Sequence, residues 1–137
     1  MDEVLLGKAA IIERCLARIH EEYDGHEEEL ETNFTRQDAL LLNIQRACEA
    51  AIDGAMHLVR IHRLGIPTDS RQAFTHLVSA RILTAGQGKN LAAMVGFRNI
   101  AVHNYREIDL NVVRAIVKER LADLADFAAL MLKHGLD

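Results

Sequence analysis

The chain has no tryptophan, one proline, two cysteines and only six aromatic residues among 137. Each scarcity excludes something. With so few aromatics there are few platforms for stacking single-stranded bases, so no preference for a nucleic-acid sequence can be read here. Cys15 and Cys48 lie more than thirty residues apart, without a CxxC or CxxxC spacing, so they make no disulfide framework. Nowhere is there a run of about 18 apolar residues, the minimum for a helix to cross a bilayer. The start, Met1-Asp2-Glu3-Val4, lacks the basic region of a secretory leader. The expectation is a cytoplasmic protein, away from any membrane, with reduced core thiols. Half the residues are hydrophobic and a quarter charged, which excludes disorder and fits one domain over residues 1–137.

The formal charge of −4 conceals an asymmetry. Residues 1–34 hold ten acids against three bases, and residues 35–137 ten against thirteen. From Arg60 to Arg106 there are seven bases and one acid, Asp69. Because screening confines electrostatic fields to roughly 8–10 Å in physiological salt, that basic middle can attract a polyanion although the whole chain is acidic. A solvated, arginine-rich surface is the competing explanation.

Apolar residues recur at helical spacing nearly throughout. Leu5, Ile12, Cys15, Leu16, Ile19 and Tyr23 stripe a first helix over residues 2–23, closed by Asp24-Gly25. A second is predicted to open at Thr35, with Asp38 three residues on as a variant capping box, and to stop near Leu64-Gly65. Pro67 and Thr68-Asp69-Ser70 make a turn and a new cap. A short helix follows over 70–83, then a connection at Thr84–Lys89 with Gly86 and Gly88, and a fourth helix from Asn90. A last helix, from Asp109 to Gly135, carries Val113, Ile116, Val117, Leu121, Leu124, Phe127 and Met131. The prediction is an all-α fold, an antiparallel bundle of about five helices.

Little in the seven histidines suggests a metal. His57 and His62 are five apart and form no HExxH motif. His20, His26 and His134 sit near charged helix ends, where solvation is expected. In the second helix Asn43, Arg46, Glu49 and Asp53 form a polar file, which reads either as an exposed ion-pair ladder or as a polar wall supporting a cleft.

The segment Arg98-Asn99-Ile100-Ala101-Val102-His103-Asn104-Tyr105 differs in kind. It places an arginine, an asparagine, a histidine and a tyrosine within eight residues. Histidine can move a proton near neutrality, and arginine can stabilise an anionic phosphate while keeping its own proton. Together they suffice for metal-free RNA cleavage, the histidine handling the 2′-hydroxyl or leaving-oxygen proton and the arginine the charge on phosphorus. Five residues apart on a regular helix, the two point about 140° away from each other. They converge if the helix frays at His103-Asn104, since asparagine tolerates left-handed backbone, or if two chains share the site.

That octapeptide resembles the Rx4–6H motif of HEPN-domain ribonucleases, in the Rx4HxY form found in HepT-type toxins. The segment from Asn43 to Asp53, Leu64-Gly65-Ile66-Pro67 and the all-helical layout are similar to the same subfamily, over nearly the whole chain. The resemblance implies a metal-independent endoribonuclease toxin without cofactor, acting on transfer or messenger RNA. It implies catalytic roles for Arg98 and His103 and a positioning role for Asn99. It implies a homodimer whose two motifs meet in a composite site. It also implies a minimal nucleotidyltransferase antitoxin that adenylylates Tyr105, excluding RNA by bulk and negative charge. Asn104 stands where many relatives carry aspartate. A non-catalytic helical module that binds nucleotide or protein is the alternative.

Overall fold

The computed structural model describes residues 2–135, which contain six α-helices and no strand. They are α1 (Glu3–Tyr23), α2 (Phe34–Ile61), α3 (Ser70–Ser79), α4 (Ala85–His103), α5 (Leu110–Glu119) and α6 (Leu121–His134). Single turns of 3₁₀ helix occupy Glu27–Glu29 and Tyr105–Glu107. The fold is all-α, as the stripes require.

Side chains specify most of the helix starts by satisfying backbone N–H groups that have no partner inside the helix. Asp2, Asn33, Asp69 and Asp109 each accept from a backbone N–H in the first turn that follows, at 2.8–3.1 Å. Thr84 makes a full capping box: its hydroxyl accepts from Gln87 N–H at 3.1 Å, and the Gln87 side chain accepts from Thr84 N–H at 2.9 Å. Two predicted boundaries are therefore corrected. Helix α2 is capped by Asn33 and starts at Phe34, two residues before a Thr35 cap would allow, and Thr84–Lys89 is not a connection but the cap and first turn of α4. Gly88 is buried there because α4 crosses close over α3; a Cβ on it would lie 2.3 Å from Val78 Cγ2.

Two further predictions are corrected. Helix α3 ends at Ser79 rather than Leu83, because Arg81 turns the chain with a left-handed φ of 62°. Leu83 is buried all the same. The last helix is interrupted at Arg120, which belongs to neither α5 nor α6. On both sides of the break Val113, Ile116, Val117, Leu121, Leu124, Phe127 and Met131 all stay buried.

Helix α1 lies along α2, α6 packs on both, and α3 and α4 pack against α2 and against each other. The long helix α2 is thus the central pillar, buried through Leu40, Leu41, Ile44, Leu58 and its small residues Ala47, Ala51 and Ala55. Phe74 of α3 meets Phe127 of α6 edge to face, with ring centroids 5.7 Å apart. After α2 the chain reverses through Arg63 (φ 55°) and Gly65 (φ 131°). No helix among the described residues is long and apolar enough to cross a membrane.

Candidate functional site

Helix α4 is regular through His103, and Asn104 closes it by donating its N–H to the Ile100 carbonyl at 2.7 Å. The predicted end is in place, but Asn104 has φ −140° and ψ 52°, so it is not left-handed. No fraying brings His103 round toward Arg98. The imidazole of His103 is exposed, and no hydrogen bond or ion pair engages it among the described residues.

Arg98 is half-buried and held from two sides. Its Nε donates to Asn99 Oδ1 at 3.0 Å, and its Nη2 donates to Ser70 Oγ at 3.4 Å. Both acceptors are neutral, and among the described residues Arg98 has no carboxylate partner. Its positive charge is felt at Cys48, where it opposes burial; burial prevails and pushes that thiol up to about 12. The thiol of Cys15 is likewise raised by burial. Both cysteines are buried and unpaired, as expected of core residues.

Tyr105 lies two residues beyond His103, in the turn that links α4 to α5. Its phenol donates to Asp38 Oδ1 at 2.6 Å, across 67 residues of sequence. Burial, followed by this hydrogen bond and the negative charge of Asp38, pushes the phenol up to about 12, although the residue remains 41% exposed. Beside it, Gln37, Leu41, Arg106, Ile108 and Leu110 line a shallow pocket of about 310 Å³.

The polar file on α2 does not form an ion-pair ladder. Asn43 is buried and donates to the Ala39 carbonyl at 2.8 Å. Glu49 accepts from Gln45 at 3.2 Å, and Asp53 pairs with Lys8 of α1 at 3.1 Å. Arg46, Glu49 and Asp53 line an open groove of about 280 Å³ together with Lys8, Ile11 and Arg14. Among the described residues no hydrogen bond joins this file to Arg98.

The structure also brings in residues that the sequence left aside. Ser70 and Asp38 were read only as caps; Ser70 also meets Arg98, while Asp38 meets Tyr105 instead of capping α2. Arg71 lies over Gly96 of α4, its Nη2 3.1 Å from where a Cβ would stand. Separations of 28 and 67 residues leave no local signal for such pairings.

Five of the other histidines have partners within the fold. His57 bonds Asp2 at 2.7 Å, and this contact, first among several, lowers the Asp2 carboxyl. His26 bonds Glu29 at 2.7 Å and His20 bonds Asp24 at 3.0 Å. His134 is half-buried, not solvated: its ring meets His62 edge-on, and its backbone carbonyl lies 2.7 Å from His62 Nε2.

The surface near α4 also carries an apolar groove of about 450 Å³, between α4 and α5, lined by Met94, Phe97, Ile100, Ile108, Val112 and Ile116 among others. Ile100, Val102 and Val112 are each more than two-fifths exposed.

A family profile described as ribonuclease HepT-like matches residues 12–131. The mRNA nuclease HepT of Shewanella oneidensis is 43% identical over 127 residues, covering 93% of this chain and 95% of its own. A solved structure of the tri-AMPylated Shewanella oneidensis HEPN toxin in complex with its MNT antitoxin superposes with a TM-score of 0.90 at 41% identity, covering 97% of this chain and 99% of that one. A toxin–antitoxin structure with AMP-PNP gives 0.89 at 40% identity, covering 96% and 99%. With a family profile spanning residues 12–131 and a relative 43% identical over 93% of the chain, the chain belongs to the HepT-like ribonucleases.

Proposed function

We propose that this ribonuclease is the toxin of a toxin–antitoxin pair, a metal-independent endoribonuclease of the cytoplasm that cleaves messenger or transfer RNA with Arg98 and His103. The observation that carries the reading is the state of the two side chains. Arg98 is held half-buried by neutral acceptors with its charge uncompensated, and His103 stands free at the end of the same helix. A guanidinium in that setting is ready for a phosphate. An unengaged imidazole can take the proton from a 2′-hydroxyl or return one to the leaving oxygen. Asn99 supports the site by fixing the Arg98 Nε. Arg46, Glu49 and Asp53 support it from farther off, on a groove where Arg14 and Arg46 offer cations to an RNA backbone.

The site is completed in a homodimer. Support comes from α4 staying regular, which keeps Arg98 and His103 about 140° apart on one helix. The exposed Ile100 and Val102, next to the apolar groove, favour a second copy covering this face. A nucleotidyltransferase antitoxin silences the enzyme by adenylylating Tyr105. The accessible phenol two residues from His103, and a tri-AMPylated relative bound to its MNT antitoxin, support this. Each AMP would add bulk and negative charge beside the cleft, opposing RNA.

The deciding experiment is cleavage of total and transfer RNA by purified protein in chelator, with Arg98→Ala and His103→Ala alongside. Cutting by the wild type, lost in both helical variants, is the expected result. If protein shown by mass to be unmodified does not cut, the nucleotide- or protein-binding module is the better reading. Light scattering at micromolar concentration should give twice the 15.3 kDa chain mass; a monomer would remove the composite site.

A further inference from the structure

The geometry points to Asp38 as the proton acceptor for modification of Tyr105, a catalytic carboxylate that the target carries for its own adenylylation. This rests on the reading of Tyr105 as the acceptor. Three features carry it. The phenol already donates to Asp38 Oδ1, at a distance (2.6 Å) typical of a hydrogen bond to an ionised oxygen. With its proton directed at Asp38, the phenol oxygen has its lone pairs turned away from the carboxylate and free to attack. The tyrosine is partly exposed, so an incoming nucleotide has access.

Asp38 has no cation of its own among the described residues. Lys8 takes Asp53, Arg36 lies beside Glu22 and Glu29, and Arg114 takes Glu31. It also does no capping, because Asn33 serves α2. A carboxylate released from those duties and placed on the reacting oxygen is arranged for general-base catalysis. The raised phenol fits this role, since a proton so firmly held has to be received as the new bond forms rather than lost beforehand.

The step balances. The Tyr105 Oη lone pair attacks the α-phosphorus of ATP held by the nucleotidyltransferase. An O–P bond forms, the bond to the β-phosphate bridging oxygen breaks, pyrophosphate leaves with that electron pair, and the phenol proton passes to Asp38 Oδ1. Arg106 lines the same pocket as Tyr105 and supplies a positive charge for the new phosphodiester.

The test compares wild type, Asp38→Asn and Asp38→Ala as substrates for a nucleotidyltransferase antitoxin of this family with ATP and magnesium. It follows intact mass over time and maps the modified residue. Asparagine keeps an oxygen able to accept the phenol hydrogen bond but cannot take its proton. RNA cleavage and helicity of each variant serve as folding controls.

Both variants should be labelled at least about 100-fold more slowly at saturation, the lower end of what a positioned base contributes, with little change in KM. Replacing tyrosine by the more acidic 3,5-difluorotyrosine, in a Tyr23→Phe background, should restore much of the rate of Asp38→Asn. If Asp38→Asn is labelled as fast as wild type at Tyr105, Asp38 is no base, and the Tyr105 assignment stands without it. A slow Asp38→Asn that the fluorinated phenol does not rescue would reduce Asp38 to a hold on the ring and overturn the inference. Wild type unlabelled at Tyr105 would sink the modification reading, and this inference with it.

Discussion

If Arg98 stabilises the charge on phosphorus, its two hydrogen bonds should set how much of that stabilisation is realised. Deleting the guanidinium removes a group whose removal typically costs about 3–4 kcal/mol of transition-state stabilisation, so Arg98→Ala should lose about 10²–10³ in turnover. Asn99→Ala leaves the charge but frees its Nε. The bond is 3.0 Å long, and a neutral acceptor of that quality contributes about 1 kcal/mol, or about fivefold in rate. Ser70→Ala removes a weaker contact at 3.4 Å, worth about half as much and about twofold in rate. The order should be Arg98→Ala far below Asn99→Ala, and Asn99→Ala below Ser70→Ala, with KM nearly constant for the last two. Single-turnover cleavage of a fluorescent oligoribonucleotide in chelator, with enzyme in excess, reads the chemical step directly. Wild-type rates in both Asn99→Ala and Ser70→Ala would mean that RNA alone orients the guanidinium. A loss in Asn99→Ala as deep as in Arg98→Ala would mean that Asn99 touches the RNA itself. Either result refutes the reasoning.

Three other perturbations test the frame around the site. Gly54 lies where α2 meets α6, and a Cβ there would stand 2.0 Å from Met131 Sδ; Gly54→Ala should destabilise by about 1–3 kcal/mol through overpacking, read as a lower urea midpoint. Thr84→Ala breaks the capping box of the helix that carries the motif and should cost about 1 kcal/mol in the same assay. The Tyr105 phenol is raised to about 12 in the folded protein, so between pH 10 and 12 the folded chain keeps a proton that the unfolded chain releases. Its contribution is present below pH 10 and lost as pH rises through 12. Phenolate absorbance should therefore show a late titration that Asp38→Asn brings earlier and Tyr105→Phe removes.

The octapeptide from Arg98 to Tyr105 was legible because its chemistry is local, and the helices were legible because a one-sided stripe forces burial. Two kinds of feature were not. Gly86 and Gly88 read as a loop, because glycine's backbone freedom is visible in sequence while the need for close helix approach is not; only the fold reveals Val78 against Gly88. The interruption at Arg120 left no mark either, because no proline or glycine announces it and the stripe continues unbroken from Val113 to Met131. At the candidate site, the same divide separates Arg98, Asn99 and His103 from Ser70 and Asp38. A hydroxyl or carboxylate at a helix start is read first as a cap, and long-range pairing has no periodicity to betray it.

The neutral cradle around Arg98 also has a thermodynamic consequence. A partly desolvated cation without a counter-charge is a standing penalty on the folded state, and whichever small anion reaches it is a ligand of that state alone. Phosphate or sulfate in the buffer should raise the melting temperature while competing with RNA for the same guanidinium. Across a phosphate series at constant ionic strength, resistance to heat and rate of cleavage should move in opposite directions, and in Arg98→Ala the anion-dependent part of the first trend should vanish.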